Sequence, residues 1–77
     1  MNNKRRKSLS AIISQLEELQ SSVEELRDEE QDCFDNLPEG LQQADKGSMM
    51  EEAISYLEEA CSSIEDAVSS IESAIDG

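Results

Sequence analysis

Apolar residues recur along the first half of the chain in alternating steps of three and four. The series is Leu9, Ile12, Leu16, Leu19, Val23, Leu26, Glu30, Cys33 and Leu37, and only Glu30 breaks it. The second half repeats the rule without a break: Met50, Ile54, Leu57, Cys61, Ile64, Val68, Ile71 and Ile75. Such spacing gathers the apolar side chains on one stripe of an α-helix, and sustained over several heptads it is the pattern by which helices pack in coiled coils. Two helices are therefore predicted, over about 4–35 and about 49–75. At 1.5 Å rise per residue, roughly thirty residues give each a length of about 45 Å.

Between them lies NLPEGLQQADKG, residues 36–47. Pro38 and Gly40 interrupt the first helix, and Asp45, Lys46 and Gly47 read as a turn. One helical turn carrying Leu37, Leu41 and Ala44 fits with Pro38 at its start. Ser48 followed by Glu51 three residues later has the form of a capping box, which places the second helix start there. A connection this short makes the helices antiparallel. Pairing positions whose numbers add to 87 sets Leu26 against Cys61, Glu30 against Leu57 and Cys33 against Ile54. Cys33 and Cys61 then lie in different layers, about 10 Å apart along the axis, too far for an intrachain disulfide.

The second helix is also an internal repeat: AISYLEE, ACSSIED, AVSSIES, AIDG. Ala53, Ala60, Ala67 and Ala74 recur beside its seam and make the apolar face three positions wide in each heptad. One hairpin leaves part of so broad a face wet, so a dimeric or higher helical bundle is expected. Ile13 and the four alanines are its expected contacts. The fold class is all-α, a single antiparallel two-helix hairpin over 1–77 that assembles with copies of itself.

Composition narrows the function. Nineteen acidic residues against six basic ones give a net charge of −13 over 77 residues, and there is no His and no Trp. Such a surface repels polyanions, which argues against direct DNA or RNA binding. No run is long enough to span a bilayer and none at the start resembles a signal peptide, so no membrane role and a cytoplasmic setting are expected. Two cysteines, both on apolar seams, read as small hydrophobes in a reducing compartment. No histidine base, Ser/His pair, glycine-rich phosphate loop or metal-ligand cluster is present, so the sequence predicts no enzyme, no cofactor and no metal. The acidic pairs Glu17-Glu18, Glu24-Glu25, Glu51-Glu52, Glu58-Glu59 and Glu65-Asp66 read either as a solvated face or as a strip for a basic partner.

Two features depart from the pattern. Glu30 stands on a core seam, where it either reaches water and Arg27 or fixes register and oligomer state, as polar seam residues do in coiled coils. Lys4, Arg5, Arg6 and Lys7 gather four of the six positive charges at the start of a helix. That end already carries unpaired N–H groups and partial positive charge, so cations are unfavourable there. Either Glu72, Asp76, the terminal carboxylate and the negative end of the second helix offset them, or an external anion does, or the run is a polybasic nuclear or membrane address. Arginine pairs bidentately with phosphate, so a nucleotide is the natural external candidate, with Gln42 and Gln43 of another copy as base contacts.

The basic start NKRRK, the Glu-rich heptad helix, the hinge DNLPEGLQ and the EEAISYLEEA repeat together resemble a group of short acidic helical proteins encoded by bacteriophages and prophages. The resemblance covers nearly the whole chain, and Asp35 to Gln42 is its distinctive part. It implies the cytoplasm of an infected bacterium and, by analogy with small helical counter-defence proteins, sequestration of a cyclic-nucleotide immune signal in a helical oligomer. The residues alone leave two other readings open: an acidic inhibitor that blocks the basic, nucleic-acid-binding surface of a host protein, and a purely structural assembly module.

Overall fold

The structure, a computed structural model, describes residues 1–77. Three helices follow one another: α1 (Asn3–Asp35), α2 (Glu39–Gln42) and α3 (Asp45–Asp76). There is no strand. α1 and α3 pack side by side and antiparallel, and the molecule is a rod of 58 × 15 × 12 Å.

α1 starts as the pattern requires. Asn2 is its N-cap, with Oδ1 accepting from the Arg5 backbone N–H at 2.8 Å. This satisfies one of the free donors of the first turn. The chain leaves the helix at Asn36. Pro38 lacks an N–H and disfavours helix at the residue before it, and it instead precedes the single turn of α2.

The start of α3 corrects the sequence expectation. It begins at Asp45, with Ala44 as its N-cap, and the Ser48 N–H already donates to the Ala44 carbonyl at 3.1 Å. Ser48 therefore lies inside the first turn, and Asp45, Lys46 and Gly47 are helical. The reason is close packing at the hinge. Gly47 is buried, and a Cβ there would sit 2.1 Å from the Gln42 carbonyl oxygen. Only a residue without a side chain lets α3 start directly beneath α2. Asp45 adds a favourable negative charge at the helix N-terminus.

The register also differs. Arg6 with Ile75 and Gln20 with Cys61 add to 81, and Gln20 with Glu65 and Arg27 with Glu58 add to 85. None reaches the expected 87. α3 presents its predicted seam, with Ile54 and Cys61 only 6% and 7% exposed. α1 is rotated about its axis. It turns two columns toward α3: Leu9, Leu16, Val23, Glu30 and Leu37, as predicted, and Arg6, Ile13, Gln20, Arg27 and Phe34, all at least half-covered. The expected second column, Ile12, Leu19, Leu26 and Cys33, is exposed instead. The rotation lets Gln20 and Arg27 reach carboxylates of α3 and Arg6 reach the Ile75 carbonyl, at the expense of covering Leu19 and Leu26. Cys33 lies thirteen residues beyond the Gln20 carbonyl that faces Cys61, about 20 Å along α1, and both cysteines are free thiols.

Candidate functional site

The basic run does not form a patch. Successive residues on a helix point about 100° apart, so Lys4, Arg5, Arg6 and Lys7 fan around α1. Arg6 alone faces α3. Its Nε donates to the Ile75 carbonyl oxygen at 3.2 Å, and its Nη1 to Asn3 Oδ1 at 3.4 Å. A guanidinium thus sits at the carbonyl-rich, negative end of α3, where a cation is favoured. Of the internal neutralisation expected for the run, the structure shows one contact, from Arg6 to a backbone carbonyl. Neither Glu72 nor Asp76 forms an ion pair with the run, and Lys4, Arg5 and Lys7 stay exposed.

The hinge glutamines lie at the other end of the rod. Gln42 Nε2 donates to the Phe34 and Leu37 carbonyl oxygens, at 3.1 and 3.2 Å. It thereby ties the Phe34 carbonyl in the last turn of α1, one of the groups a helix end leaves without an i+4 partner, to the Leu37 carbonyl of the connection that follows. Gln43 is exposed. Within one chain the six residues expected to share a ligand, Lys4, Arg5, Arg6, Lys7, Gln42 and Gln43, are not brought together. The hairpin encloses no pocket.

Polar contacts between the long helices run along a single edge. Gln20 Nε2 donates to Glu65 Oε1 at 2.8 Å and to Glu24 Oε1 at 3.4 Å. Arg27 pairs with Asp28 at 2.8 Å and approaches Glu58 at 4.0 Å. The hydrogen bond to Asp28, and then its charge, raise the Arg27 pKa above the usual guanidinium value. The Cys61 thiol points at the Gln20 carbonyl oxygen, 4.0 Å away, and burial, reinforced by Glu24, pushes its pKa above the ordinary thiol value. Glu30 is half-covered and makes no ion pair; Arg27 turns to Asp28 and Glu58 instead.

These contacts fix which columns share each side of the hairpin. The edge crossed by Gln20 and Arg27 carries six glutamates, Glu17 and Glu24 from α1 and Glu51, Glu58, Glu65 and Glu72 from α3, while Glu18, Glu25, Glu52, Glu59 and Asp66 lie on the exposed outer backs of the two helices. The opposite side combines the α1 column Ile12, Leu19, Leu26 and Cys33 with the α3 column Ala53, Ala60, Ala67 and Ala74. Outside these lie Gln15 and Ser22 on α1, and Met49, Tyr56, Ser63 and Ser70 on α3. Over this central stretch the face carries no charge. Arg5 and Glu29 sit at its two ends on α1. Ile12, Leu19 and Leu26 are 41%, 58% and 58% exposed, while Ala60, Ala67 and Ala74 are open and Ala53 is half-covered.

The chain matches no family model, no curated protein and no solved structure.

Four of the expected interface residues therefore lie on the open face. Ile13 does not: it packs between α1 and α3, because the rotation of α1 brings it inward. Sequence reasoning missed Gln20 and Arg27, although their spacing of seven within the column Arg6, Ile13, Gln20, Arg27, Phe34 was a readable signal. It missed the constraint at Gly47, which no local pattern announces.

Proposed function

We propose that the protein is a non-enzymatic binding module that works as a bundle of hairpins, with the uncharged faces joined inside and the acidic edges turned outward to dock on a basic partner protein. The separation of charge carries this reading. Six glutamates line one side of the rod, while the other side presents three large, half-exposed apolar residues and a row of alanines. Interface cores are depleted of charge in this way. Acids also cover the outer backs of both helices, so the uncharged face is the one side of the rod that they spare.

Energetics point the same way. Covering a Leu or Ile fully is worth about 1.5–3 kcal/mol, so leaving Ile12, Leu19 and Leu26 roughly half wet forfeits about 2–4 kcal/mol per chain. A 77-residue hairpin with only two apolar residues buried has little to spare. Association recovers that loss and leaves the like charges on opposite outer sides. The docking function is tested by the variant with Glu51, Glu58, Glu65 and Glu72 changed to Gln. Wild-type protein immobilised in low salt should retain a basic partner that elutes as salt rises, and the variant should retain none. Capture that ignores both salt and these substitutions contradicts the reading.

A second reading rests on the basic end. Lys4, Arg5 and Lys7 have no carboxylate partner, and Arg6 is bound only by backbone and Asn3 oxygens. In this reading the assembled protein sequesters a small anionic ligand, such as a cyclic-nucleotide immune signal, in the cytoplasm of a phage-infected bacterium. Gln43 and the hinge of another copy would complete the site. A ligand that binds only the folded state raises its melting temperature. A panel of linear and cyclic nucleotides with no shift on wild-type protein contradicts this reading, and a shift abolished by Lys4→Gln and Lys7→Gln supports it.

A further inference from the structure

We propose that the uncharged face is covered by a second copy of this chain, with the two α1 helices crossing antiparallel about a two-fold axis at Leu19. The proposal rests on the reading that the hairpins assemble, and it specifies the face, the partner and the direction.

The face has the dimensions of a specific interface. From Arg5 to Cys33 it runs 28 residues, about 42 Å along α1. Two helices spaced about 10 Å apart make it roughly 20 Å wide. The product is on the order of 800 Å² per partner, the size of a standard stable protein interface.

The apolar part of the column, Ile12, Leu19 and Leu26, is symmetric in chemistry about its centre. Ile12 and Leu26 lie seven residues to either side of Leu19, and Arg5 and Cys33 lie fourteen to either side. In an antiparallel pair whose facing positions add to 38, Leu19 meets Leu19 of the second copy, and Ile12 meets Leu26. Such an isologous contact closes on itself. Charge decides between the two directions. Antiparallel, Arg5 of each chain lies within one turn of Glu29 in the other, giving two opposite-charge contacts. Parallel, Arg5 faces Arg5 and Glu29 faces Glu29. The acidic edges remain on the outside in the antiparallel pair. It also sets the basic end of one chain beside the hinge end of the other, the arrangement that the second functional reading requires.

Disulfide trapping and charge exchange test the arrangement on the full-length protein. Leu19 is exposed in the single hairpin, so its replacement leaves the fold intact. The Leu19→Cys, Cys33→Ser variant, which keeps the buried Cys61, should form a covalent dimer under mild oxidation. Wild-type Cys33 should not pair with its counterpart, about 42 Å away in the antiparallel pair. Glu25→Cys in the Cys33→Ser background, pointing away from the face, should stay monomeric on denaturing gels. Arg5→Glu and Glu29→Arg should each weaken the dimer several-fold, and together they should restore it. Ready Cys33–Cys33 linkage with none at position 19 overturns the antiparallel arrangement, as does a double variant no tighter than either single. Sedimentation of the wild-type chain as a monomer overturns the assembly reading itself.

Discussion

The guanidinium of Arg6, in the first turn of α1, donates to the carbonyl oxygen of Ile75 in the last turn of α3, 69 residues later. One side chain thereby ties the two ends of the chain together. It meets the need of both helices at once, because it directs one of four crowded cations toward the negative end of a helix.

Replacing Arg6 with Gln should lower the stability of the hairpin by about 1 kcal/mol, the worth of one charge-assisted contact to a helix end. Arg5→Gln should leave the single hairpin unchanged, since that side chain is exposed and only the Arg5 backbone is held, by Asn2. Urea denaturation at one low chain concentration reads both.

At the hinge, Gly47→Ala should destabilise the protein by about 1–3 kcal/mol, the usual range for forced overpacking, because the new Cβ would overlap the Gln42 backbone. Gly40→Ala is the control. Nothing lies within 4 Å of a Cβ at that position, and it is helical. It should be neutral or stabilise by about 0.5–1 kcal/mol. Thermal melts of the two variants should therefore move in opposite directions, or Gly47→Ala alone should fall.

Cys61 predicts an alkaline weakness. Its folded-state pKa is raised above the ordinary value of 9.0, chiefly by burial. The folded protein therefore holds the thiol proton more tightly than the unfolded chain. That contribution is complete below pH 9 and is lost as pH climbs through the raised value. Stability should fall across this range in the wild type, and Cys61→Ala should remove that part of the pH dependence while lowering stability near neutral pH.

The same thiol should be slow to alkylate. Cys61 is buried and Cys33 exposed, so iodoacetamide should modify Cys33 first, with Cys61 reacting only as the hairpin opens. Peptide mapping over time distinguishes the two. Equal rates would contradict the packing of Cys61 against the Gln20 carbonyl.

Much of this architecture was readable from spacing alone. The α3 seam from Met50 to Ile75 packs as the heptads predict, and Pro38 ends α1 where a missing N–H must. The rotation of α1 was not readable. Leu9, Leu16 and Val23 are flanked by two columns, and hydropathy favours Ile12, Leu19 and Leu26 over Ile13, Gln20 and Arg27. The choice depends on Glu58, Glu65 and the Ile75 carbonyl across the interface, which are distant in sequence. The start of α3 escaped for a similar reason: Ser48 and Glu51 form a valid local capping signal, but the approach of Gly47 to Gln42 is a tertiary contact that outweighs it. For the candidate site, the alanine row was found by its repeat, whereas the uncharged face that it shares with Ile12, Leu19 and Leu26 emerged only once Gln20 and Glu65 fixed the pairing.

The central claim is that the face built on Ile12, Leu19 and Leu26 is covered by another copy of the chain. Sedimentation equilibrium tests it most directly, on the wild type and on a variant with Leu19→Glu and Leu26→Glu. The wild type should sediment as a dimer or a larger even assembly, and the variant as a monomer that keeps its helical circular dichroism. A wild-type chain that remains monomeric at high micromolar concentration, or a variant that assembles as well as the wild type, would contradict the account.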